Sequence, residues 1–385
     1  MKTIWEYDLP TDERIADYEY ESPIFISGGY LFYISESVDF QNLLHRIDIK
    51  SGRGSTELLK SENLCLPCDY FFVEYKGNLI IYAGDIFIYS RGVLSKATGI
   101  ALKGKVTAHL LLGNRLIMSC DLVLCCFNLD TLSMDWKSDI SNSKRYQARE
   151  LSVYEDKIAC YGKDKLLFIN RENGRTEDFI QLPRIDKLFC PIKTDDENML
   201  IGYTNWTTAG ILKYNFSDKK IIWKHKRKFE GPQLRCRIWL YDDMAFWVKN
   251  NTELIALDIE NGSEIYQTRT APWLYTDIQF LQDVLIYGTA GADGFINCVE
   301  AKTGRKRWSV FLKNGCAYYD VYKDSVIVGD FDKTLKRVSL ADGTILQSHF
   351  TGAEVVGRIK VSDGCVYTVI WENSERGVRL VKVQI

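Results

Sequence analysis

The residues best equipped for chemistry are eleven cysteines and four histidines. Cys65-Leu66-Pro67-Cys68 has the C-x-x-C spacing of thiol redox sites and of half a zinc site. A redox pair of that kind needs a strand before it and a helix after it, whereas here a strand-like DYFFVEY follows directly. A zinc site needs a second pair, and none stands at standard spacing. The motif therefore reads as a loop carrying two thiols. Cys125-Cys126 lies inside the apolar run LVLCCFNLD, where strand alternation sends adjacent side chains to opposite faces. His45, His109, His225 and His349 form no H-x-H or H-x-x-x-H pair, so no multi-histidine metal centre is expected. No G-x-S-x-G elbow and no Walker loop occurs. Asp195-Asp196 and Asp242-Asp243 fall where turns are expected, and turn propensity accounts for them. Lys224-His225-Lys226-Arg227-Lys228 is the one basic run. It reads as a solvated outer strand and loop, because a net charge of −2 gives no general field toward nucleic acid. The sequence thus assigns no catalytic residue, no metal ligand and no cofactor.

The elements that must hold these residues are strands. Aromatics make up 13% of the 385 residues, with 22 Tyr, which suits a strand-rich protein. The longest apolar runs, such as 122–127 and 366–371, are far short of the roughly 18 residues of a membrane helix. The N-terminal MKTIWEYDLP has no apolar signal core. The cysteines are odd in number, irregular in spacing and mostly inside apolar strands, as a reducing compartment permits. These features together predict a cytoplasmic protein.

A repeat organises the chain. Ala256-x-Asp258-x-x-Asn261-Gly262-x-x-x-Tyr266 matches Cys298-x-Glu300-x-x-Thr303-Gly304-x-x-x-Trp308. Cys126-x-Asn128-x-x-Thr131-Leu132-x-x-x-Trp136 matches both, without the glycine. Weaker copies centre on Ser51-Gly52, Asn173-Gly174, Asp218-Lys219 and Asp342-Gly343. In this unit the small residue allows tight packing between repeats. The Asp, Asn or Glu anchors the backbone of the coming turn, the Gly supplies positive φ, and the late Trp or Tyr covers the seam to a neighbour. Second strands are predicted to start near Tyr30, Asn78, Arg115, Lys157, Met199, Met244, Val284, Ser325 and Cys365, 37 to 48 residues apart. Short strands at that period specify an all-β fold, a single β-propeller domain over 1–385 with four-stranded antiparallel blades. The count favours nine blades, with eight as the alternative because the unit at 69–98 is short. The last repeat lacks an outer strand, and residues 3–9, with Trp5 in the docking place, are expected to complete it.

The repeat resembles the A-x-D-x-x-T-G-x-x-x-W signature of the quinoprotein-type (PQQ-like) propeller family. Gly202, Gly288 and Gly329, which end second strands, resemble that family's V-G-T ending. The resemblance implies a propeller and leaves activity open. The family includes pyrroloquinoline quinone dehydrogenases, whose vicinal disulfide lies against the cofactor, and non-enzymatic members such as an outer-membrane-assembly lipoprotein. Cys125-Cys126 departs from the dehydrogenase pattern by lying mid-strand. The chain also lacks their export signal and a matching calcium–aspartate segment. A non-enzymatic member is the expectation.

First-to-second and third-to-fourth connections are predicted to be tight. Second-to-third and blade-to-blade connections are predicted to be longer and to share one end of the blades. That end should carry 36–41, 63–68, 138–149, 204–209, 226–235, 269–275 and 372–376. Its candidate partner-binding residues are Arg145, Tyr146, Arg149, Trp206, Arg227, Arg235, Trp273, Tyr275 and Trp371, with Phe40 beside them; Trp, Tyr and Arg dominate interface energetics. The leading expectation is a non-catalytic scaffold that presents this end to a protein partner, with no membrane or nucleic-acid role. The alternatives are a small-molecule sensor or enzyme using the central channel, and a structural subunit packing edgewise in an assembly.

Overall fold

The computed structural model describes the chain except residues 10–22, 37–40, 62–69, 98–105, 121–122, 141–150, 163–164, 182–186, 194, 196, 205–207, 229–237, 250–251, 271–272, 275–277, 316–317, 331 and 373–376. It is an all-β nine-bladed propeller with four-stranded antiparallel blades. The count settles on nine because the short second unit is a full blade. Its last two strands, Asp85–Ser90 and Val93–Lys96, join through Arg91-Gly92, both at positive φ as a tight hairpin requires. Eight of the nine second strands start at the expected residue, and the fifth starts one earlier, at Asn198. In blade 7 the second and third strands form one span, Val284–Glu300. Among the described residues no helix is long and apolar enough to cross a membrane.

The chain's contacts divide into two compact units. One comprises residues 1–72, 80–83 and 270–385, with blades 1, 7, 8 and 9. The other comprises 73–79 and 84–269, with blades 3 to 6 and most of blade 2. In the first unit the N-terminal strand Lys2–Leu9 pairs antiparallel with the C-terminal strand Val378–Gln384, so the first residues complete the last blade as expected.

Middle strands are buried on both faces, as Leu116, Ile117 and Met118 are in blade 3, because blades within a unit pack against one another. Side chains of adjacent blades merge into shared clusters; one holds Ile117, Cys126 and Trp136 of blade 3 with Ile158, Cys160 and Leu167 of blade 4. Full burial of an aliphatic side chain of this kind stabilises by about 1.5–3 kcal/mol.

The anchors of the third turn behave as their spacing predicts. Asp258 Oδ1 accepts from the backbone N–H of Glu260 and Asn261 at 2.8 and 3.0 Å. Asn170 and Asn128 do the same in blades 4 and 3. The small residues pair directly with the late aromatics: Cys126 with Trp136, Ala256 with Tyr266, Cys298 with Trp308. Four tryptophans then dock on the next blade's turn. Trp5, Trp136, Trp223 and Trp308 donate their indole N–H to the carbonyls of Ile49, Arg171, Ile259 and Leu340 at 2.8–3.0 Å. Each ring lies over the glycine three residues further on: Gly52, Gly174, Gly262 or Gly343. At Gly174 an added Cβ would lie 2.5 Å from the Trp136 ring.

Candidate functional site

Cys126 faces the blade 3–4 seam while Cys125 points the other way, its sulfur 3.7 Å from that of Cys120. Burial pushes the thiols of Cys126 and Cys160 up to about 12 and that of Cys298 to about 11, which keeps them protonated and poorly nucleophilic. Cys65 and Cys68 lie outside the described residues. Among the described residues no group of three His, Cys, Asp or Glu could hold a metal ion.

One constellation has the outline of a nucleophile and its base. Ser35 Oγ lies 2.7 Å from His45 Nε2, and His45 Nδ1 lies 3.1 Å from Thr56 Oγ1, which continues to the Tyr7 hydroxyl at 3.0 Å. Ser35 and His45 are both buried, and burial depresses the imidazole to about 4. The hydroxyls satisfy a buried ring, and the chain reaches solvent only at its outer end, where Thr56 is exposed. Sequence spacing missed it because Ser35 and His45 stand on adjacent strands, and only their register brings them together. Asp330 is similar: its buried carboxylate meets Lys336 Nζ at 2.5 Å, and burial raises it against the pull of that lysine.

The most unusual described surface is the outer strand of blade 5, Lys220–Lys228. It pairs on one side with Thr208–Asn215 and ends the sheet. Trp223, His225 and Arg227 alternate toward blade 6. Trp223 docks on Gly262, the His225 ring sits edge-on to Trp247 at 5.9 Å, and the Arg227 guanidinium pairs with Glu264. Lys224, Lys226 and Lys228 take the opposite face and are exposed. Lys224 Nζ lies 4.3 Å from the centre of the Tyr203 ring. Partial burial and then the neighbouring Lys226 charge hold the Lys224 ammonium below its usual range. Among the described residues no carboxylate pairs with any of these three lysines.

Arg227 therefore stands on a strand, locked to the next blade, where a loop position was expected. Trp371 ends the strand Cys365–Trp371 and packs half-buried on a cluster with Trp5, Leu9 and Tyr33. Trp273 lies in the short strand Trp273–Leu274. Arg145, Tyr146, Arg149, Trp206, Arg235, Tyr275 and Phe40 lie outside the described residues. First and second strands join through two residues in every blade but the fifth, such as Lys76-Gly77, Glu155-Asp156 and Lys323-Asp324, as expected, whereas most third-to-fourth connections, such as Asp48 to Gly54 and Asp258 to Glu264, are longer than expected. Second-to-third connections are shorter than expected in several blades, and in blade 2 Gly84 alone links Ala83 to Asp85. The long connections run from blade to blade: Leu59 to Phe71, Asp139 to Leu151, Lys228 to Ile238.

No family model matches the chain, and no curated protein matches its sequence. Solved propellers do. The crystal structure of BamB from Moraxella catarrhalis superposes with a TM-score of 0.51 at 15% identity, over 82% of this chain and 94% of that one. The crystal structure of the computationally designed Ika8 protein superposes with a TM-score of 0.52 at 14% identity, over 94% and 95%. At such identity the likeness is one of fold.

Proposed function

We propose that this chain is a non-catalytic binding propeller, a non-enzymatic relative of the quinoprotein-type repeat proteins, which presents its blade-to-blade segments to a protein partner in the cytoplasm. The observation that carries the reading is the asymmetry of the connections. Within the blades most first and second strands join through two residues, whereas segments between blades, such as Leu59 to Phe71 and Lys228 to Ile238, are long. Recognition residues concentrate on long loops held by a rigid scaffold. The segments between described strands carry Arg145, Tyr146, Arg149, Trp206, Arg235 and Tyr275, with Trp273 beside them, the residue types of interface hot spots. The free thiols of Cys120, Cys125, Cys126, Cys160, Cys298 and Cys365 fit a reducing compartment.

Affinity capture from the source organism's lysate, with mass spectrometry, tests this reading. A partner retained by the wild type and lost by Arg145→Ala/Trp206→Ala/Trp273→Ala, at unchanged melting temperature, supports it. A partner held equally by both refutes this site, and no partner for either refutes the scaffold reading.

A further inference from the structure

We infer that the outer edge of blade 5 is a second, independent docking site, which takes an extended acidic polypeptide segment as a fifth strand. The strand Lys220–Lys228 carries five cations, Lys220, Lys224, Lys226, Arg227 and Lys228, and no acidic residue. Two of the five pair with carboxylates: Lys220 with Asp218 and Arg227 with Glu264. The other three stand at alternating positions on one exposed face. Alternate residues of a strand are about 6.6–6.8 Å apart. An added strand repeats that spacing, so alternating Glu or Asp would meet Lys224, Lys226 and Lys228 as cross-strand pairs. The strand also ends its sheet, and its outer backbone N–H and C=O groups are the natural template for strand addition.

Lysines on an edge also serve to repel unwanted strands. That role does not account for this edge. The outer strand of blade 8, Ile345–Phe350, carries no Lys, Arg, Asp or Glu and exposes Ile345, Leu346 and Phe350. A fold that leaves that edge unguarded has no need of three lysines on another that, among the described residues, lack a carboxylate partner. Nor does the surrounding surface generate them, since the next outer strand back, Thr176–Ile180, carries Glu177 and Asp178. The whole chain is slightly acidic at −2, so the concentration is local. The open backbone edge favours a polypeptide over a nucleic acid, which offers no strand-pairing groups.

The probe is a fluorescein-labelled nine-residue peptide of alternating Glu and Thr, read by fluorescence anisotropy at low ionic strength. Wild-type protein is expected to bind it. Lys224→Glu/Lys226→Glu/Lys228→Glu should weaken binding at least about tenfold, the sum of three lost cross-strand charge pairs. The neutral Lys224→Gln/Lys226→Gln/Lys228→Gln variant should fall between. Lys306→Glu/Lys313→Glu on the outer strand of blade 7, and the Arg145→Ala/Trp206→Ala/Trp273→Ala variant, should bind as wild type does; the latter separates this site from the one proposed above. A fully backbone N-methylated copy of the peptide should bind about tenfold more weakly. Equal binding by the charge-reversed variant, or no binding by wild type, overturns the proposal. So does equal binding of the N-methylated peptide, of nine-nucleotide oligothymidylate or of phosphatidylserine vesicles, any of which reduces the edge to unspecific attraction.

Discussion

His45 should make the stability of this protein fall as the solution becomes mildly acidic. The ring is fully buried between Ser35 and Thr56, whose hydroxyls can each donate or accept, so the neutral imidazole is satisfied in either tautomer. Its pKa drops from an unfolded value of 6.5 to about 4 because the charged ring would lose its hydration. Between those values the unfolded chain binds a proton that the folded chain refuses. Stability therefore rises with pH through this window and is lost as pH falls from 6.5 toward 4. Below about 4 the folded ring is protonated too, and its contribution changes no further. At about 1.4 kcal/mol per pH unit, the span amounts to about 3 kcal/mol. The comparison chain is His45→Gln, whose amide can still bond both hydroxyls and does not titrate. Urea unfolding by tryptophan fluorescence from pH 7.5 to 4 reads the difference, and titrations shared by the two chains cancel, including the half-buried Glu36 and the other histidines. Wild type should lose about 3 kcal/mol more than the variant. Parallel pH profiles would refute the assignment of a neutral, buried His45.

The blade seams and the buried ion pair give two further expectations. Trp136→Phe keeps a ring over Gly174 and removes the N–H donated to Arg171, so it should cost about 1 kcal/mol in thermal unfolding. Gly174→Ala, at φ +71 and with its Cβ against the ring, should cost more than about 1 kcal/mol. Lys336→Met leaves the buried Asp330 carboxylate without its counter-charge and should cost about 3 kcal/mol; chemical denaturation should show Asp330→Asn/Lys336→Met recovering most of that loss.

Much of the architecture is legible in the sequence because it rests on local rules. Turn anchors such as Asp258, small residues such as Cys298 and the late tryptophans recur at fixed spacing, and each acts within one hairpin or on the adjacent turn. The opposite orientations of Cys125 and Cys126 follow from strand alternation alone. The candidate site is less legible. Arg227 reads as loop because the basic run has little β-propensity, yet pairing with Thr208–Asn215 and the docking of Trp223 extend the strand to Lys228. The Ser35–His45–Thr56–Tyr7 chain depends on register between strands and on blade 9 reaching blade 1, which no single-segment pattern encodes.

The four tryptophan seams also separate two reasons for a glycine in the third turn. The first is backbone conformation, since the turn places this residue at positive φ, between +71° and +77° at Gly52, Gly174, Gly262 and Gly343. The second is space, since the docked ring leaves no room for a Cβ. The remaining turns of the second unit isolate the first reason. Leu132 and Lys219 take the same place in their turns at φ +55 and +52. The strands that precede them carry no tryptophan there: Val93–Lys96 has no aromatic residue, and in Thr176–Ile180 the position is Asp178. Lys219 Nζ lies 3.4 Å from Asp178 Oδ2, so an exposed ion pair stands where the ring and glycine would meet. Left-handed backbone costs an ordinary residue about 1–2 kcal/mol, and the fold tolerates that at Leu132 and Lys219. It is therefore the ring, more than the turn, that demands glycine. The exposed pair contributes at most about 1 kcal/mol, whereas a docked indole brings both apolar burial and a hydrogen bond. The seam between blades 4 and 5 is accordingly held by its inner cluster, around Phe168, Met199, Tyr203 and Tyr214. Lys224, Lys226 and Lys228 stand on the face of the blade 5 outer strand opposite Trp223, and they are exposed.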